Sequence, residues 1–309
     1  FILIIKQKMN KKDNAIQIFA ENFNLIVKSR LGFGGFGTVF EIKTPIDDNA
    51  LAAKLIEKEK MYYDSNLILR GPNIVDVNKI YEKNINGKAY SLILMERAPL
   101  KDLKNFVNLI RERNLLRYVF KNPFKMIGDN FARFIIKQLV KGFETLYMGN
   151  YTHFDFKPEN TLIFNNMVMK LTDFGLLRNL NQIKKNNNKV IIPGGTLGYL
   201  PPETYSNKNN KITFEEATIL DYFSLGATIF YLKYGKKMLN YRTYKDNIST
   251  ANYIVDLIQQ EINKIKATKH SDKDFIEFLC KLIQYCPKNR LSFEEIYRNK
   301  WLNKILRKY

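Results

Sequence analysis

The sequence predicts an α+β chain whose strands gather before residue 96 and whose helices follow residue 100. Three observations carry this. Apolar residues alternate with a period of two, or run on continuously, in Leu25-Ile26-Val27, Val39-Phe40-Glu41-Ile42, Leu51-Ala52-Ala53-Lys54-Leu55 and Tyr90 to Met95. From Leu100 the period changes to near 3.6, with helical patterns at Asp102 to Arg117 and Asn130 to Met148. After the second of these, His153-Phe154-Asp155-Phe156-Lys157-Pro158-Glu159-Asn160 sets an acid, a base and an amide at short fixed spacing, beside a proline that fixes the turn.

At 309 residues and 45% hydrophobic, the chain can bury a large core, in one two-lobed domain or two smaller ones. Fifty Lys and Arg against thirty Asp and Glu leave a net charge of +20. Such a charge attracts nucleic acid, anionic membrane or acidic protein substrates. Codon bias of an AT-rich genome also explains the abundance of Lys, Asn, Ile and Tyr, and no aromatic-basic interleaving marks a nucleic-acid surface. Cys280 and Cys286 have no second Cys or His pair near them, so neither a disulfide framework nor a zinc site is expected, and a cytoplasmic or nuclear setting fits. No apolar run approaches the ~20 residues that span a bilayer. Phe1 to Ile5 is too short for a signal-peptide core, Met9 is a candidate start, and residues 1 to 8 carry no argument.

In chain order, Gly32-Phe33-Gly34-Gly35-Phe36-Gly37 lies between two strand-like runs. Missing side chains let backbone amides approach phosphate oxygens, with Phe36 covering them from water; a bare hairpin turn is the plain alternative. Strand-loop-strand, rather than strand-loop-helix, separates it from a dinucleotide fingerprint. Lys54 is the one charge on an apolar strand. The stripe of Phe131, Phe134, Ile135, Leu139, Phe143 and Leu146 on the second helix reads as core. In the central stretch, Asp155 suits proton acceptance from an attacking hydroxyl, Lys157 charge neutralisation on a phosphoryl group and Asn160 a metal ion. Asp173-Phe174-Gly175 brings a second acid behind the strand-like Val168-Met169-Lys170-Leu171.

These motifs, in this order over most of the chain, resemble the eukaryotic protein kinase family. The resemblance implies a two-lobed fold: a small lobe of antiparallel sheet plus one helix over 23–95, a hinge at 96–99 and a large, mainly helical lobe over 100–309, with residues 1–22 as an N-terminal extension and the kinase domain at about 23–305. It implies ATP and Mg²⁺ as cofactors and a protein Ser or Thr hydroxyl as acceptor. Gly32, Gly34, Gly35, Phe36 and Gly37 would then lie over the triphosphate. Val39, Ala52 and Leu162 would line the adenine, Met95 would stand behind it as gatekeeper, and backbone groups of Glu96 and Ala98 would bond it. Asp102 would reach the ribose, Lys54 the α- and β-phosphates, and Asn160 with Asp173 the Mg²⁺. Thr196 with Lys157 is the serine/threonine pattern, and Leu176 leans weakly toward serine. Asp221, read as the head of an apolar helix, would support the catalytic loop, and Arg290 would pair with Glu203.

Three positions depart from the family pattern. Seventeen residues separate Lys54 from Pro72, a short span for the helix whose glutamate holds the lysine; Glu59 and Asp64 are both candidates, Glu57 less so. Phe154 replaces the arginine that commonly clamps a phosphorylated activation-segment residue, and no Ser, Thr or Tyr lies between Gly175 and Thr196. Loss of both halves of that switch predicts an enzyme that needs no phosphorylation there, unless the phosphosite is Thr196 itself. Cys286 replaces the aspartate usual before Pro287, so a local cap is expected to be missing. A pseudokinase, a nucleotide-binding scaffold that transfers nothing, is the alternative, supported by the short span and Phe154. A small-molecule phosphotransferase is disfavoured by Thr196 and Pro202-Glu203. Asp102 and Glu159 lie where some members hold an arginine of the substrate, which leaves substrate identity open.

Overall fold

The structure, a computed structural model, describes residues 11–35, 37–45, 50–58, 69–112, 127–181, 189–205, 211–239, 247–267 and 272–304. The chain divides into two compact units, Phe1–Arg70 with Val75–Pro99 and Gly71–Ile74 with Leu100–Tyr309.

In the first unit, β1 (Ile26–Gly34), β2 (Gly37–Lys43), β3 (Leu51–Glu57), β4 (Val77–Ile85) and β5 (Lys88–Glu96) form one antiparallel sheet of order β1-β2-β3-β5-β4. Strand alternation sorts its side chains. Phe40, Ile42, Ala53, Leu55, Leu92 and Leu94 belong to one buried cluster. Helix α1 (Lys11–Phe23) joins that cluster through Ala15, Ile16, Phe19 and Ala20, and thus covers the sheet face opposite Lys54. Asn24 ends α1 in the left-handed conformation (φ 52°), and Leu25 N–H donates to Ala20 O at 2.9 Å, the bond of a Schellman cap. The residues before 23, expected only as an extension, therefore include a helix built into this core.

In the second unit, α2 (Leu103–Glu112), α3 (Asp129–Met148), α4 (Phe214–Tyr234), α5 (Asn247–Lys266), α6 (Lys273–Leu282) and α7 (Phe293–Tyr297) accompany short antiparallel pairs. These pairs are β6 (Tyr151–Thr152) with β9 (Arg178–Asn179), β7 (Thr161–Phe164) with β8 (Val168–Leu171), and β10 (Lys189–Ile191) with β11 (Lys211–Thr213). Helix α4 is buried without a break from Leu220 to Lys233, as a helix apolar all round must be. Its start corrects the sequence expectation. Thr213 and Glu216 form a capping box, so the helix opens at Phe214 and Asp221 lies two turns inside it. On α3, Phe134 is 43% exposed and does not belong to the core stripe; Ala132, Ile135, Ile136, Leu139, Val140, Phe143 and Leu146 do. Arg290 closes the C-terminal half, bonding Glu203 Oε1 at 2.8 Å and Oε2 at 3.2 Å while lying over the Phe223 ring. Cys286 precedes its 3₁₀ turn without a side-chain cap. Both cysteines are free, and no described helix is long and apolar enough to cross a membrane.

Candidate active site

The loop after β6 is shaped by a buried carboxylate. Asp221 Oδ2 accepts from His153 N–H at 2.5 Å and Oδ1 from Phe154 N–H at 3.0 Å. Two successive amides can meet one carboxylate because Phe154 adopts the left-handed conformation, φ 65°. Burial pushes the Asp221 carboxyl up, opposed by His153 and by the two amides. The Phe154 side chain is fully buried. His153 continues the network, its Nδ1 accepting from Asp155 N–H at 3.3 Å, which assigns the ring proton to Nε2 and its bond to Thr172 O at 3.0 Å.

Asp155 is thereby presented on a fixed backbone, with 4% of its surface exposed. Oδ2 accepts from Lys157 Nζ at 2.7 Å, and Oδ1 accepts from the Thr196 hydroxyl at 2.6 Å. Lys157 Nζ also donates to Thr196 Oγ1 at 2.6 Å, closing a triangle of carboxylate, lysine and hydroxyl. Asn160 Nδ2 donates to Asp155 O at 2.8 Å, which pins the 3₁₀ turn Pro158–Asn160. The Thr172 N–H donates to Asn160 O at 3.0 Å, so Asn160 and the segment bearing Asp173 are neighbours, and Asp173 is left-handed, φ 62°. One amide and one carboxylate form an oxygen donor set suited to a hard cation such as Mg²⁺.

In the first unit the register brings four predicted residues together. Val39 and Ile93 lie opposite Lys54, and Met95 lies opposite Ala52, so Val39, Ala52, Lys54 and Met95 share one sheet face. A Cβ built on Gly32, Gly34 or Gly35 meets nothing within 4 Å; protein packing does not require these glycines, and open space lies beside them. Gly37 differs, since its Cβ would strike Leu55 O at 2.5 Å, and the close approach of β2 to β3 accounts for it. Phe36, Glu59 and Asp64 lie outside the described residues. Glu57, the lesser candidate for Lys54, is paired with Lys88.

Beyond the sheet, the predicted nucleotide contacts have other structural uses. Glu96 N–H donates to Asp76 O at 3.1 Å, and Ala98 is half-buried. Asp102 caps the start of α2, accepting from Asn105 N–H at 2.8 Å and Asn105 Nδ2 at 2.6 Å. Leu162 on β7 is half-buried and forms an isolated bridge with Asp102. Sequence reasoning missed Lys104, which donates to Glu159 Oε1 at 2.8 Å. No local pattern signals a partner 55 residues away.

Comparison with known proteins identifies the family. The family model described as protein kinase domain matches residues 25–302. The chain is 24% identical over 287 residues to serine/threonine-protein kinase PLK4 of Drosophila virilis, covering 90% of this chain and 33% of that protein. It is 25% identical over 320 residues to calcium-dependent protein kinase 4 of Plasmodium berghei (strain Anka), covering 97% of this chain and 54% of that protein. It is also 25% identical over 276 residues to CBL-interacting protein kinase 26 of Oryza sativa subsp. japonica, covering 89% and 51%. The chain therefore spans between a third and about half of the length of these relatives. With the family model matched over nearly its whole length and the fold that goes with it, the chain belongs to the protein kinase domain family.

Proposed function

We propose that the protein transfers the γ-phosphoryl group of ATP to serine or threonine hydroxyls of proteins, without prior phosphorylation of its activation segment. The observation that carries the transfer is the hydroxyl already seated on the candidate base: Thr196 O–H donates to Asp155 Oδ1 at 2.6 Å, while Lys157 Nζ donates to Thr196 Oγ1 and to Asp155 Oδ2. A substrate hydroxyl replacing Thr196 at Oδ1 would be oriented for attack, and Asp155 would accept its proton as charge develops. Lys157 would offset negative charge beside the reacting oxygen. Lys54, on the face it shares with Val39, Ala52 and Met95, would align the α- and β-phosphates. Gly32, Gly34 and Gly35 leave room for the triphosphate, and Asn160 with Asp173 would hold Mg²⁺. When bound, ATP with Mg²⁺ supplies the phosphoryl group and neutralises its oxygens.

Independence from loop phosphorylation is supported by what the buried residues do. Phe154 places an apolar ring where a charged clamp would stand, and its backbone amide is held by Asp221. Arg178, the nearest basic residue of the activation segment to the Asp173-Phe174-Gly175 turn, donates to Leu177 O at 2.9 Å and Leu176 O at 3.3 Å. The test is radiolabelled phosphate transfer from ATP-Mg²⁺ to a generic protein and to the chain itself, using phosphatase-stripped protein with Asp155→Asn as control. Transfer abolished in the control alone is expected. ATP binding without transfer in the stripped wild type would replace this reading with a nucleotide-binding scaffold.

A further inference from the structure

The acceptor side of the large unit carries a charge arrangement that the proposed transfer does not use. Acids that would greet a basic peptide are already engaged. Asp102 gives both oxygens to Asn105, while Glu159 gives Oε1 to Lys104 and keeps Oε2 buried from solvent without a hydrogen-bond partner among the described residues. Beside the Thr196-Leu197-Gly198-Tyr199 turn stands exposed Lys237, and its exposed neighbour Lys236 has its Nζ 5.9 Å from the centroid of the Phe230 ring. A Cβ on Gly198 would lie 3.7 Å from Lys237 Cδ, and Lys237 Nζ sits 5.7 Å from the centroid of the Tyr199 ring. Lys236 and Lys237 also line a surface recess of about 460 Å³ with Met238, Leu257 and Glu261. Glu261, the acid of that recess, is paired with Lys264 at 2.6 Å.

We propose that Lys236 and Lys237, with Glu159 neutralised by Lys104, make this groove a docking surface for acidic peptide, so that the preferred acceptors are Ser or Thr residues with Asp or Glu nearby. The inference rests on the kinase reading. Position follows from the turn. Tyr199 N–H donates to Thr196 O at 3.1 Å, so the turn is tight, and Thr196 marks the hydroxyl position at Asp155. Lys237, over the ring of Tyr199 three residues after Thr196, would then face the peptide close to its acceptor. Two lysine charges facing a chain of carboxylates act across partly exposed surface, so their attraction weakens with salt.

The experiment measures fluorescence anisotropy of labelled serine peptides with acidic, neutral or basic flanks on the full chain, at low and high salt, alongside phosphate transfer to the same peptides. The acidic peptide is expected to bind roughly tenfold tighter than the neutral one at low salt. Lys236→Glu with Lys237→Glu is expected to abolish that preference. Lys137→Glu with Lys141→Glu, in a separate recess against Tyr297, Arg298 and Leu302, is the control for bulk charge and should keep it. Equal binding of acidic and basic peptides, or equal loss in the distal control, would overturn the proposal. So would a single-stranded oligonucleotide that binds as tightly with the same dependence on Lys236 and Lys237. Selective binding without transfer would uphold the groove and remove the kinase reading; transfer indifferent to flanks would do the reverse.

Discussion

Replacing Phe154 by arginine tests whether this loop is held from within or by a phosphate. The wild-type ring is fully buried. Both oxygens of Asp221 are occupied by the amides of His153 and Phe154, and both of Asp155 by Lys157 and Thr196, so a guanidinium arriving here finds those carboxylates already engaged. An uncompensated buried charge costs about 3–5 kcal/mol, whereas Phe154→Leu, which keeps the site apolar, costs about 1 kcal/mol. The left-handed backbone is common to both variants and cancels. With a denaturant slope of about 2–3 kcal/mol per molar urea, the arginine variant should unfold roughly 1–2 M earlier than wild type. Trp301, the single tryptophan and fully buried, is the fluorescence reporter. A Phe154→Arg protein as stable as Phe154→Leu would refute the reasoning. It would mean that the pocket supplies an anion to receive the charge, and a phosphate switch would have to be reconsidered.

Two further outcomes follow from the packing. Phe19→Ala should weaken the first unit by about 3–5 kcal/mol, because a fully buried ring is removed from the cluster that joins α1 to the sheet; hydrogen exchange at Leu92 and Leu94 reads it, and unchanged protection would show that α1 is dispensable. Burial pushes the Cys280 thiol up to about 11, so at pH 8 only roughly one molecule in a thousand carries the thiolate. Cys286, half-buried with no side-chain role at its turn, should therefore react with a thiol reagent long before Cys280, which becomes reactive only in urea.

Short-range chemistry was the legible part of the sequence. Asp155, Lys157 and Asn160 lie within six residues, and the turn that joins them needs only Pro158 and the Asn160 amide. Strand parity likewise placed Lys54 on an apolar strand, and only the register revealed that Val39, Ala52 and Met95 share its face. Two helix starts were legible as well. Ala15, Ile16, Phe19, Ala20 and Phe23 repeat at helical spacing and end at Asn24, which marks a helix within the N-terminal extension. Thr213 and Glu216 spell a capping box, which would have started α4 seven residues before Asp221. Phe134 was misplaced because residues 134 and 135 lie 100° apart on a helix, and only Ile135 points along the buried arc. The Lys104–Glu159 bond had no local signal at all.

Asp221 explains why the helix correction matters for function. A carboxylate at a helix start would be tied to solvent and to a fraying turn; one at the head of the stretch buried from Leu220 to Lys233, two turns inside the helix, should be held rigidly. By bonding the amides of both His153 and Phe154 it transmits that rigidity to the backbone immediately before Asp155. Phe154 then contributes burial at the same point, where an arginine would contribute a dependence on an external anion. If the proposed independence from loop phosphorylation holds, this stretch is ordered from the core, with no external anion required. A constitutively ordered loop would leave selectivity to the acceptor side, where Lys237 stands beside the Thr196–Tyr199 turn and shares a recess with Lys236.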